Sequence, residues 1–265
     1  MTKLSLPYAN KDLGQHFLVD KNTIHAICDD DIQNNLPILE IGPGPAILTE
    51  FLAAKKRPFF VIEKDERFKP YLNQYLSDEQ IIFTDALAVN LENFIAEKFQ
   101  SPIWLVSNLP YNVGSPLLIN FLQAPSIKAM TLMFQKEVAD KVFPFATTKN
   151  FMNSLLVLSQ TYFECRLLKK VPPGAFNPPP KVDSAVLSMT RRENPLLPLN
   201  EFLDLEKFLR FMFSQKRKQL GGILKARYKT ELIHEVFLKL NIQETVRAEA
   251  LTIEQVLDLY RNFKV

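Results

Sequence analysis

From about residue 36 the chain repeats one device, a short and nearly continuous apolar run followed by a longer amphipathic stretch. The runs are LPILEI at 36–41, FFVIE at 59–63, IIFT at 81–84, IWLVSN at 103–108 and MTLMF at 130–134. Such runs predict strands buried on both faces. The stretches 45–56, 66–76, 91–99 and 114–123 have helical spacing. Repeated strand–helix units imply a largely parallel sheet with right-handed crossovers, so the expected class is a doubly wound α/β fold. Further helices are expected near 136–142 and 151–160, and strand-like stretches at 161–170 and 182–190 are placed to close the sheet as antiparallel strands.

Two proline-rich stretches punctuate this pattern. Val171-Pro-Pro-Gly-Ala-Phe-Asn-Pro-Pro-Pro180 has five prolines in ten residues and is read as a loop, by itself a stiff connector between two late strands. Asn194-Pro-Leu-Leu-Pro198 marks a boundary after which strand signals vanish. The expected division is therefore 1–195 and a helical part, 196–265, in which Thr252 and Gln255 have capping-box spacing before VLDLY. The formal net charge of +3 averages a −1 over 1–190 with a +4 over 191–265. Within 207–230 stand Lys207, Arg210, Lys216, Arg217, Lys218, Lys225, Arg227 and Lys229 with no acidic residue. Such a run is either a solvated helix face or a polyanion contact.

At 40–50, EIGPGPAILTE puts a glycine-containing turn directly after the first run and before a helix, where a ligand can approach the backbone because no Cβ blocks it. A dinucleotide fingerprint would want a third glycine where Ile47 stands, which weakens that reading. Pro45 suits the first turn of the following helix. Glu63 closes the second run 21 positions after Gly42, where a carboxylate can accept both ribose hydroxyls of an adenosine cofactor. That narrows the cofactor to NAD or S-adenosylmethionine without choosing. Asp85, in TDAL, stands where a side chain can accept from the cofactor's adenine amine, although acids at strand ends also serve as helix caps.

The choice is made by Ser107-Asn108-Leu109-Pro110-Tyr111-Asn112 at the end of the fourth run. An adenine amine is a poor nucleophile because its lone pair is delocalised into the ring. Making it a methyl acceptor needs hydrogen-bond acceptors for its protons and a platform for the base. Asn108 offers a side-chain carbonyl, Leu109 a backbone carbonyl stiffened by Pro110, and Tyr111 a ring for stacking.

In these segments the sequence resembles the ribosomal RNA adenine dimethyltransferases, and the resemblance covers nearly the whole chain. It is carried by LGQHFL at 13–18, EIGPG at 40–44, VIEKD at 61–65, DAL at 85–87, NLPYN at 108–112, FNPPPKVDS at 176–184, FSQKRKQL at 213–220 and RAEALTIEQ at 247–255. It implies a Rossmann-like class I methyltransferase sheet with a small C-terminal helical RNA-binding domain. It also implies dimethylation, from S-adenosylmethionine and without a metal, of two adjacent adenosines near the 3′ end of small-subunit (16S) rRNA. The implied partner is rRNA within an immature 30S particle, the implied protein a monomer.

By the same resemblance Gln15, His16 and Leu18 line the cofactor site, Gly42 and Gly44 lie against the cofactor, Glu63 holds its ribose, Asp85 its adenine, and Asn108 its amino-acid part together with the target amine. Tyr111 stacks on the flipped adenine and Phe176 covers its opposite face, so the stiff proline loop serves to present Phe176. Many members carry Asn where His16 stands, and His16 is given a packing or capping role with no acid–base function. Arg210, Lys216, Arg217, Lys218, Lys225 and Arg227 are the candidate RNA contacts. Gln219-Leu220-Gly221-Gly222 replaces the further basic and Asn residues common in the family.

Direct displacement on the sulfonium methyl needs chiefly positioning, and the methylated amine can lose its proton to solvent. The readings this competes with are adenine N6-monomethylation in DNA or RNA, and a non-catalytic RNA-binding role in ribosome assembly. Cys28 and Cys165 lie far apart with no Cys or His at ligand spacing, and the start carries no secretory signal pattern, so a reducing cytoplasmic setting with no membrane partner is expected.

Overall fold

The computed structural model describes residue 8 and residues 15–30, 35–144, 152–215 and 217–264. In chain order the elements are β1 (Phe17–Leu18), α1 (Lys21–Cys28), β2 (Ile38–Ile41), α2 (Thr49–Ala53), β3 (Phe59–Glu63), α3 (Lys69–Leu72), β4 (Ile81–Phe83), α4 (Leu91–Lys98), β5 (Ile103–Asn108), α5 (Gly114–Gln123), β6 (Ile127–Gln135), α6 (Lys136–Val142), α7 (Ser154–Tyr162), β7 (Phe163–Val171), β8 (Phe176–Asn177), β9 (Ser184–Arg191), α8 (Phe202–Met212), α9 (Leu220–Leu224), α10 (Thr230–Lys239) and α11 (Ile253–Phe263).

Two compact units result, one of residues 1–143 with 163–193 and the other of 144–162 with 194–265. The third crossing, at 193–194, lies within two residues of the expected division. Residues 144–162, by contrast, were expected within 1–195 and cluster instead with the helical unit. The cause is visible in α7, which is buried along nearly its whole length and packs on α8 with Tyr162 against Phe202, ring centroids 5.3 Å apart. Its apolar LLVL is a helix core of the second unit.

The first unit is built on a seven-stranded sheet of order β4-β3-β2-β5-β6-β9-β7, in which β4, β3, β2, β5 and β6 are parallel. Strand β9 runs antiparallel between β6 and β7, so it alone takes the expected reversed sense, while β7 at the edge runs in the direction of the parallel strands. The order reverses between β2 and β5, and ligands of open parallel sheets bind in the crevice at the carboxyl ends of such a pair. Their carboxyl ends lead into Gly42 and Asn108. The apolar runs are buried as a doubly covered sheet requires, and the polar residues inside them are bonded. Trp104 Nε1 donates to Thr131 Oγ1 at 2.9 Å, and Thr131 donates to the buried Asp30 carboxylate at 2.7 Å, which also takes Arg166. Ser107 Oγ donates to the Ile41 carbonyl at 2.6 Å and ties β5 to β2 beside the crevice.

Three local expectations differ. The helix expected over 66–76 is a 3-10 turn over Glu66–Phe68 and an α-helix only over Lys69–Leu72, with turns after it. The helix expected over 45–56 begins only at Thr49, because Ala46 has φ +64° and holds 44–48 in turns, so Pro45 belongs to the loop. The proline-rich stretch is not wholly loop. After a 3-10 turn over Pro173–Ala175, β8 pairs antiparallel with β1, Phe17 opposite Asn177 and Leu18 opposite Phe176. In the second unit α11 starts on the expected capping box, Gln255 N–H donating to Thr252 Oγ1 and Thr252 N–H to Gln255 Oε1.

Candidate active site

One cavity of the first unit is walled by Gln15, His16 and Leu18, by Gly42 and Gly44, by Glu63 and Asp85, and by Asn108 through Tyr111. These residues come from five separate sequence motifs. Gly14 and Lys216 lie outside the described residues.

The floor is the turn after β2. Gly42 and Gly44 have φ +67° and +56°, in the left-handed region that a Cβ disfavours. Space alone would admit a side chain, since a Cβ on Gly42 would sit 3.9 Å from Pro110. Conformation is therefore what demands glycine here. The Gly44 N–H donates to Glu63 Oε2 at 2.9 Å, while Glu63 Oε1 accepts the N–H groups of Lys64 and Asp65, both at 2.8 Å. Glu63 is 6% exposed, and its burial raises the carboxyl's pKa while the three amides oppose that shift. A carboxylate has about four acceptor positions, so three are engaged and one remains on Oε2. The structure thus offers one ready acceptor for a ribose diol. The expected bond to both hydroxyls requires one backbone amide to give way.

Asp85 caps the turn after β4, accepting Leu87 N–H at 2.9 Å, and pairs with Lys64 Nζ at 2.8 Å, which holds its carboxyl below the ordinary range. Glu40 also walls the cavity, a residue to which the sequence assigned no role. It is fully buried within β2, accepts Thr49 Oγ1 at 2.7 Å, and is pushed up to about 8 by burial, the nearby Glu63 charge adding to the effect. An acid interrupting an otherwise apolar four-residue strand was the signal that could have singled it out.

The opposite wall is the end of β5. Asn108 Nδ2 donates to the His16 carbonyl at 3.4 Å, which directs its Oδ1 the other way, available to accept. The Tyr111 hydroxyl shares a 2.7 Å hydrogen bond with Ser184 Oγ, and burial pushes the phenol up. Ser184 was missed as a partner because it lies 73 positions away, at the start of β9. Gln15 Nε2 donates to Asp65 Oδ2 at 3.0 Å, and His16 Nδ1 lies 2.8 Å from the Pro178 carbonyl.

Phe176 is not brought to this wall. The β1–β8 pairing places it in the apolar cluster with Phe17 and Leu18, 4% exposed. Its expected place over the base corrects to a place beneath the N-terminal strand. The ring found against Tyr111 is that of His16, with centroids 5.3 Å apart and planes inclined by 29°.

An adenosine cofactor fits the donor set: a left-handed glycine turn, a buried and oriented carboxylate one strand away, and a second acid one strand further. S-adenosylmethionine carries a positive sulfonium, which suits a cavity bordered by the carboxyl groups of Glu63 and Asp85. In the helical unit Arg217, Lys218, Lys225 and Arg227 are exposed, the last lying over the Phe211 ring at 4.1 Å. Arg210 is forked onto Glu206, with bonds of 2.9 and 2.6 Å, and matches the solvated-face reading.

The family model described as ribosomal RNA adenine dimethylase matches residues 8–264. Ribosomal RNA small subunit methyltransferase A of Alkaliphilus metalliredigens is 35% identical over 259 residues, 94% of this chain and 90% of that protein. The protein of the same name in Phenylobacterium zucineum is 40% identical over 230 residues, covering 83% and 77%. Among solved structures, the 23S rRNA methyltransferase ErmE superposes with a TM-score of 0.69 at 27% identity, covering 94% of this chain and 100% of that one. A dimethyladenosine transferase from Plasmodium falciparum reaches 0.75 at 24% identity over 92% and 96%, a likeness of fold. A match over nearly the whole chain, with the glycine turn, the strand-end acids and the Asn-Leu-Pro-Tyr wall gathered on one cavity, means that the chain belongs to the ribosomal RNA adenine dimethylase family.

Proposed function

We propose that this protein dimethylates two adjacent adenosines near the 3′ end of small-subunit rRNA, acting as a cytoplasmic monomer on an immature 30S particle. The observation that carries the chemistry is Asn108, whose amide nitrogen is engaged by the His16 carbonyl while its oxygen is left to accept from an amine at the crevice between β2 and β5. S-adenosylmethionine would supply a methyl group already activated by its sulfonium.

The chain's own residues bind and position. The Gly42 turn and Glu63 would hold the adenosine part of the cofactor, with Asp85 toward its adenine and Gln15 to Leu18 as the remaining wall. Asn108 Oδ1 and the Leu109 carbonyl would accept the two amine hydrogens and so localise the lone pair that attacks. Withdrawing the target from its stack costs a few kcal/mol. Stacking on Tyr111, worth about 1–3 kcal/mol, offsets much of this. The exposed cations Arg217, Lys218, Lys225 and Arg227 of the helical unit would contact RNA phosphates. Among the described residues no helix is long and apolar enough to cross a membrane.

The test is incubation with labelled S-adenosylmethionine and unmethylated small subunits, followed by nucleoside mass spectrometry. Dimethyladenosine at two neighbouring positions near the 3′ end is the expected product. Monomethyladenosine alone, or no transfer to either subunits or naked rRNA, would sink the assignment.

A further inference from the structure

We propose that Glu40 makes this cavity distinguish the methyl donor from its demethylated product, giving up its proton to solvent when the cationic cofactor is bound and keeping it when the neutral-sulfur product is bound. This rests on the S-adenosylmethionine reading above.

Glu40 is 1% exposed yet belongs to the cavity wall, just before the Gly42 turn. Its Oε2 accepts Thr49 Oγ1 at 2.7 Å, and among the described residues its carboxyl has no other hydrogen bond and no ion pair. The groups packed around it supply no positive charge. Strand β3 sets Val61 opposite it and Glu63 near it, and β5 sets Val106 opposite it on the other side. Helix α2 contributes Thr49, and α1 contributes Cys28, whose thiol is pushed up by burial and by the Glu40 charge. Lys64, in the same wall, is held by Asp85 at 2.8 Å, and His16 turns its Nδ1 to the Pro178 carbonyl.

Two carboxyl groups from neighbouring strands of one buried wall do not both ionise readily without a cation between them. The charge belongs on Glu63, to which three backbone amides donate, and the proton on Glu40, which has only the Thr49 hydroxyl. Burial and the Glu63 charge accordingly raise Glu40 to about 8. A cation brought into the cavity reverses the balance, because an opposite charge favours the ionised form. S-adenosylmethionine is a net cation through its sulfonium. The product left after transfer has a neutral thioether, and its ammonium and carboxylate cancel. Glu40 therefore ionises for the donor and stays protonated for the product. Exchange of spent cofactor for fresh is favoured in this way, a step that dimethylation of two adenosines repeats.

The experiment is calorimetry on the full chain at pH 7, in two buffers of different ionisation enthalpy, with S-adenosylmethionine and with S-adenosylhomocysteine. Comparing the buffers counts the protons released. Wild type is expected to release about one proton with the donor and almost none with the product. Glu40→Gln keeps an acceptor for Thr49 and has no proton to lose, so subtracting its result removes contributions from the ligand's amine and from His16. In this variant the donor's Kd should weaken about tenfold and the product's stay within about twofold. Should the variant fail to fold, the donor–product difference in wild type still decides. Equal release with both ligands would mean that Glu40 answers to the ammonium they share, and no release with either would mean that it never changes its protonation. Both results overturn the proposal, as does equal weakening of the two ligands in Glu40→Gln. A wild type that binds neither ligand would overturn the S-adenosylmethionine reading as well, whereas binding of both without a proton difference overturns this proposal alone.

Discussion

Glu63 Oε2 accepts the backbone N–H of Gly44 at 2.9 Å, joining the carboxyl end of β3 to the turn that follows β2. This bond adds a side-chain tie to a turn that the backbone also holds, through Gly42 N–H to the Ile62 carbonyl and Ala46 N–H to the Pro43 carbonyl. Changing Glu63 to Gln replaces one acceptor oxygen with a donor that faces backbone N–H groups. A charge-assisted hydrogen bond is worth about 1.5–3 kcal/mol, so Glu63→Gln is expected to weaken S-adenosylmethionine binding by about 10- to 100-fold. Calorimetry measures this directly. A variant that bound the cofactor as wild type does would remove Glu63 from the proposed site.

Asn108 should behave differently. Its side chain is tied to His16 by a long 3.4 Å bond, so its loss costs the fold little. Asn108→Ala is expected to lower kcat by about 100-fold or more, the scale of losing one oriented polar group at a reacting centre, while cofactor Kd changes by no more than a few-fold. Near wild-type turnover in this variant would mean that the amine is held elsewhere.

Much of the site was legible because its pieces sit at the ends of elements whose pattern is strong. The buried run at 59–63 and the run at 103–108 emerge as β3 and β5 with those limits, so Glu63 and Asn108 fall at carboxyl ends of parallel strands, where periodicity alone had put them. What was not legible depended on contacts far apart in sequence. Phe176 seemed free to present itself, but pairing across about 160 positions with Leu18 turns it inward. The Ser184 anchor for Tyr111 is likewise long-range. A helix near 151–160 was visible and is found at Ser154–Tyr162, yet nothing local says which core its apolar side chains join. Ala46 is a further case, a helix-favouring residue held at φ +64° by the turn around it.

Glu40 makes stability depend on pH in a direction opposite to that of most carboxylates. Its folded-state value of about 8 stands above the ordinary 4.5, so the folded protein holds a proton there that the unfolded chain has released. The resulting stabilisation is complete below about 4.5 and is lost as pH rises through about 8. Glu40→Gln keeps an acceptor for Thr49 and carries no charge to bury. In the absence of cofactor, the variant's melting temperature should therefore gain on wild type progressively between pH 5 and 9. The free-energy difference would be on the order of 5 kcal/mol at most. Melting curves that stay parallel across that range would show that Glu40 is ionised in the folded protein.

The charge asymmetry of the chain makes a separable prediction for the helical unit. Arg217, Lys218 and Lys225 are exposed, whereas Arg210 is forked onto Glu206 and is less available to a phosphate. Each phosphate contact on a single strand contributes about 0.7 to the slope of log K against log salt. Replacing Arg217, Lys218 and Lys225 together with alanine should therefore lower the magnitude of that slope by about 2 for an rRNA fragment bearing the target adenosines. Arg210→Ala should change it by much less. Fluorescence anisotropy at several salt concentrations distinguishes the two, and cofactor Kd serves as the internal control, since no group in the cavity wall is altered. An unchanged slope in the triple variant would return this basic run to the status of a solvated helix surface, and RNA affinity would then have to come from the methyltransferase unit alone.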